Sequence, residues 1–63
     1  MTPERMMEMR WMVARLVGRT PTPVERLDAL DAILELIVAG PCDEQEHDAR
    51  ALLVQDLCAR LGD

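Results

Sequence analysis

Cys42, His47 and Cys58, with Asp43 and Asp48 near the histidine, are the side chains of this sequence best suited to nucleophilic or metal chemistry. A cysteine near the start of a helix can have its thiol pKa lowered by the helix dipole, and a nearby histidine can serve as its base. The spacing works against both chemistries. His47 and Cys58 fall three turns apart on one predicted helix, about 16 Å along its axis at the helical rise, too far to pair. C-x4-H-x10-C matches no zinc pattern built on a paired C-x2-C. Serine, lysine and tyrosine are absent, and no Gly-rich loop offers an oxyanion site. The residues therefore point away from an enzyme: no catalytic residue, no metal and no cofactor is expected. Cys58 reads as a small buried hydrophobe, Cys42 as a loop residue and His47 as a histidine at the edge of the core.

Residues suited to gripping a partner are better represented. Five of the first twelve residues are methionine, a flexible and polarizable side chain that recurs on binding surfaces. Trp11 is the only aromatic residue, and tryptophan is the type most enriched among interface anchors. On a helical wheel Trp11, Met7 and Ala14 fall together, opposite a stripe of Met6, Met9, Val13 and Leu16 that Met12 and Val17 widen. The alternative is that Met7 and Trp11 lie against the third helix of the same chain. A second candidate surface is acidic: Glu25, Asp28, Asp31 and Glu35 share about a third of the next helix's circumference. It reads as a solvated face or as a docking surface for a basic partner, with Arg5, Arg15 and Arg19 available to neutralise it.

Three helices must position these groups, near residues 3–17, 23–39 and 44–61, in a single domain spanning 1–63. Thr2-Pro3-Glu4 and Thr22-Pro23-Val24-Glu25 each supply a hydroxyl N-cap, a proline at the first helical position and an early acid; the second adds the glutamate of a capping box. Asp43 with Glu46 marks the third start. Gly18, Gly40 and Gly62 mark the ends, and Pro21 keeps the first two helices apart. In the middle helix Leu27, Leu30, Leu34 and Ile37 recur at i, i+3, i+7 and i+10. That stripe is expected to face the core, with the helix packed on both its neighbours. The third helix is expected to turn His47, Val54, Leu57, Cys58 and Leu61 inward, flanked by Leu53, and to leave Leu52 outside.

Composition bounds the rest. Sixty-three residues make one thin core, and chains of this size bury only about 60% of their unfolded surface. Period-two alternation is missing, so the fold class is all-α, a small antiparallel bundle completed by dimerisation. A net charge of −5 argues against DNA, because phosphate binding needs clustered positive charge. No run reaches the roughly 20 apolar residues of a membrane span and no signal-peptide pattern opens the chain, so a cytoplasmic protein is expected. Arginine without lysine suits a GC-rich bacterial or phage genome.

Some fragments resemble the Rop family of plasmid copy-control proteins: Met12 with Ala14-Arg15-Leu16, then Thr20, Thr22, Glu25-Arg26-Leu27, Leu30-Asp31-Ala32, Asp43-Glu44-Gln45 and Ala59-Arg60-Leu61-Gly62-Asp63. They cover under a third of the chain, and Pro21 and Pro23 interrupt what would be that family's first long helix. The resemblance implies a dimeric helical bundle that binds structured RNA, here through Arg5, Arg15 and Arg19. Glu35-Leu36 to Gly40, Cys42, Glu44-Gln45 and Ala49-Arg50-Ala51-Leu52 are similar to the turn region of hairpin co-chaperones for type III secretion needle subunits. From the residues themselves, the function expected first is a non-enzymatic protein–protein module: a small regulator, co-chaperone or phage-type inhibitor that masks a surface on a larger protein. Binding of structured RNA is the alternative.

Overall fold

The computed structural model describes residues 1–62 and consists of three helices: α1 (Pro3–Arg15), α2 (Pro23–Val38) and α3 (Glu44–Leu61). No strand occurs among the described residues. The Cα radius of gyration is 11.3 Å, close to the roughly 10.6 Å expected of a compact chain this long.

Each helix starts where its cap dictates. Thr2 accepts the Arg5 N–H at 3.2 Å, Thr22 accepts that of Glu25 at 3.2 Å, and Asp43 accepts that of Glu46 at 2.7 Å. At α2 the box closes, because the Glu25 carboxylate takes the Thr22 N–H at 2.9 Å. At α3 only half of it forms. Glu46 turns instead to Arg50 and to the Met1 ammonium group, 3.7 Å from its Oε2.

Two helix ends fall short of expectation, α1 by two residues and α2 by one, while α3 ends at Leu61 as expected. Leu16 and Val17 donate to Val13 and Ala14, at 3.1 and 3.4 Å. These tighter i to i−3 bonds end α1 at Arg15, before Gly18 takes its left-handed φ of 77°. Gly40 does not take the left-handed role. Ala39 instead turns extended (φ −60°, ψ 142°) and ends α2 at Val38. That leaves the Gly40 carbonyl facing Arg50, whose NH1 donates to it at 2.7 Å.

The packing centre is α3, not the middle helix. Both α1 and α2 pack along α3, and α1 and α2 approach each other only weakly. Leu53 and Leu57 of α3 meet Met6 and Met9 of α1 and Ala29, Ala32 and Leu36 of α2 in one buried cluster. The α1 stripe holds at Met6, Met9 and Leu16, which are buried, and at Met12 and Val13, which pack at the margin, but Val17, beyond the shortened helix, is exposed.

The middle helix is rotated from its expected setting. Leu27, Leu30, Leu34 and Ile37 are 64, 50, 59 and 66% exposed, whereas Ala29, Ala32 and Leu36 face inward. Periodicity groups residues onto a face but does not say which of two apolar faces is covered. Here the smaller one wins, because alanines at a contact let two helices approach closely. On α3 the inward set also shifts. Arg50, Leu53 and Leu57 are buried, while His47 and Cys58 are exposed. Cys58 is thus no core hydrophobe and His47 no core-edge group, since the α3 face they share with Val54 and Leu61 only skirts the core.

Candidate protein-binding surfaces

The α1 patch follows from the burial of the opposite stripe. With Met6 and Met9 locked into the core, Met7 and Trp11, one turn apart, face away from it at 49% and 62% exposure. Ala14 is exposed beside them. Trp11 therefore does not lie buried against α3.

The acidic strip divides into two kinds of residue. Its ends are paired with arginine. Arg5 Nε reaches both Glu35 oxygens at 3.1 and 3.0 Å, and its NH2 reaches Oε1 at 2.9 Å. Arg5 also holds Glu8 at 3.1 Å. Arg19 grips Glu25 with two nitrogens, at 2.8 and 2.5 Å, and donates Nε–H to the Arg15 carbonyl at 2.7 Å. The hydrogen bonds from Arg19 and from the Thr22 backbone hold the Glu25 carboxyl down to about 2. Arg5 lowers the Glu35 carboxyl in the same way, and both guanidiniums are raised in turn. Between these clamps Asp28 and Asp31 are exposed, and neither enters an ion pair among the described residues. The strip thus keeps a smaller negative surface than its four carboxylates suggest.

A third surface was hidden in the sequence by its resemblance to a core. The stripe Leu27, Leu30, Leu34 and Ile37, widened by Val38, runs the length of α2 in solvent. The signal that distinguishes it is the strict 3-4-3 spacing, the narrow a/d seam of a coiled coil, where a globular core face is broader. Leu52 of α3 is also exposed.

Near the α2–α3 turn, Cys42 and His47 line an open groove of about 680 Å³, together with Asp43 and Glu44. No group of three or more His, Cys, Asp or Glu side chains is placed to hold a metal ion among the described residues. Arg50 also lines the groove and is buried, 8% exposed, and sequence reasoning missed it. An arginine at an inward position is costly unless paired, and here Glu46 and the Gly40 carbonyl pair it.

No helix among the described residues is long and apolar enough to cross a membrane. No family model, curated protein or solved structure matches this chain.

Proposed function

We propose that this protein is a non-enzymatic protein–protein interaction module, a small homodimeric helical bundle that docks on and masks a surface of a larger protein. The observation that carries this reading is Trp11, the chain's only aromatic side chain, held 62% exposed beside Met7 on the side of α1 away from the core. Leaving a tryptophan in water forgoes a large burial gain in a domain whose core is thin. An aromatic anchor flanked by an adaptable methionine is the composition of a binding hot spot. Asp28 and Asp31 add a negative rim suited to a basic partner. The α2 leucine stripe supports self-association, because contiguous exposed apolar surface marks an interface.

Structured RNA draws less support. Two of the three arginines that would grip phosphate, Arg5 and Arg19, are already committed to Glu35 and Glu25. The test is affinity capture from the source cell with the wild-type chain and with Trp11→Ala in parallel. A protein retained by the wild type and lost with Trp11→Ala, at unchanged helicity, is the expected result. Recovery of RNA instead, with binding that weakens steeply as salt rises, overturns the reading.

A further inference from the structure

We infer that the leucine stripe of α2 is the homodimer seam, and that two copies of α2 pair there in parallel and in register. This rests on the self-association proposed above and specifies its face and direction.

Leu27 and Leu34 take the a positions of two successive heptads, and Leu30 and Ile37 the d positions. All four are at least half exposed, whereas the inward face of the same helix is Ala29, Ala32 and Leu36. The seam lies nearly opposite that inward face on the wheel, so α1 and α3 sit behind α2 and leave the approach of a second copy open. Five apolar residues per copy, with Val38 as the fifth, carry roughly 60–120 Å² each of apolar surface. Across two copies that removes on the order of 1,000 Å² from water, the scale at which a specific interface begins.

The flanking charges choose the direction. Arg26 and Asp31 border the seam on opposite sides, at g and e. Arg26 donates one hydrogen bond, to the Leu61 carbonyl at 3.2 Å. Neither residue enters an ion pair among the described residues. In a parallel pair a g residue faces the e residue five positions on in the other copy. That sets Arg26 against Asp31 of the second copy, twice by symmetry, and Ile33 against Val38. An antiparallel pair that stacks Leu27 on Ile37 and Leu30 on Leu34 sets Asp31 against Asp31 at the two-fold axis. Opposite charges favour the first arrangement and like charges penalise the second.

Sedimentation equilibrium on the full chain tests this, with far-UV circular dichroism to report folding. The wild type is expected to be a dimer at tens of micromolar. Leu34→Glu should be a helical monomer, its affinity reduced at least a hundredfold. Arg26→Asp and Asp31→Arg should each weaken the dimer roughly tenfold, since two attractive pairs become repulsive. The double variant R26D/D31R should recover wild-type affinity. If Asp31→Arg leaves affinity unchanged and the double variant gains nothing, the parallel arrangement is overturned. A dimer that survives Leu34→Glu but dissociates with Trp11→Ala overturns the α2 seam and leaves self-association standing. A wild-type monomer removes both. The charge series stays decisive even where Leu34→Glu unfolds, because each of its members changes only exposed residues.

Discussion

Arg5 and Glu35 meet across 30 positions of sequence, Nε to both carboxylate oxygens and NH2 to one of them. The contact joins the two helices that share the least packing, on the side of α2 that turns toward α1. Glu35 remains partly in water, so the pair is worth little in isolation. A double-mutant cycle of Arg5→Ala and Glu35→Ala should give a coupling of about 0.5–1 kcal/mol in chemical denaturation. At this chain length each kcal/mol moves the melting point by about 4–8 °C. A coupling of zero would mean that α1 and α2 hold their relative setting through α3 alone.

Acid should loosen the fold through these same carboxylates. Glu25 is held down to about 2 by Arg19 and the Thr22 backbone, and Glu35 is lowered by Arg5. A depressed carboxyl pKa contributes stability that is fully present above the unfolded value, near 4.3. That contribution is lost as pH falls through the folded value. Melting temperature should therefore hold steady down to about pH 5 and fall progressively toward about pH 2. In Glu25→Gln the fall should be shallower. The same slope in the variant and the wild type would remove Glu25 as a cause.

The two faces of α2 can be told apart by volume. Ala32 is fully buried and Leu34 is 59% exposed. Ala32→Leu should overpack the α2–α3 contact and cost about 1–3 kcal/mol. Leu34→Ala should leave the stability of the dissociated chain within about 0.5 kcal/mol. The reverse order would restore the leucine stripe to the core. As an internal control, Leu57→Ala on α3, fully buried, should cost about 2–5 kcal/mol, enough to unfold most of the population.

How far the sequence reveals this arrangement depends on the kind of signal. Caps are local: Thr2, Thr22 and Asp43 bond donors three residues away, so three helices and their starts are legible to within a residue. The outward position of Trp11 follows from Met6 and Met9 alone. The rotation of α2 is not local. Its leucine and alanine faces are both apolar, and the choice between them comes from Arg5 and Arg19 and from how closely α3 can approach. Arg50 was partly illegible for a similar reason. Glu46 stands one turn before it on α3, a spacing open to sequence reading, but the Gly40 carbonyl reaches it only because Ala39 turns extended.

Arg50 itself should prove structural. It is buried, its NH1 caps the Gly40 carbonyl at 2.7 Å, and its NH2 meets Glu46. Arg50→Ala removes the packed stem and two hydrogen bonds whose acceptors still meet water, Glu46 keeping the Met1 ammonium as well, which should cost about 1–2 kcal/mol. Arg50→Met keeps the stem packed and should cost less. Losing Glu46 as well, in Arg50→Met with Glu46→Gln, should recover part of the difference in urea denaturation. If Arg50→Ala melts like the wild type, the α2–α3 turn is held by Pro41 and the Asp43 cap without it.

Trp11 separates a binding role from a folding role. With 62% of its surface in water, it should emit as a solvent-exposed tryptophan in the free protein and shift to the blue when a partner covers it. Trp11→Ala should leave helicity and the urea midpoint nearly unchanged, whereas truncating a core tryptophan costs about 3–5 kcal/mol. Partner affinity should fall by about 2 kcal/mol or more, the size of a hot-spot loss. Met7→Ala should weaken binding in the same direction by less, because methionine adapts around the anchor and does not fix it. Should Trp11→Ala destabilise the fold only at low protein concentration, the tryptophan belongs to the contact between copies. The external partner would then have to be sought at Asp28 and Asp31.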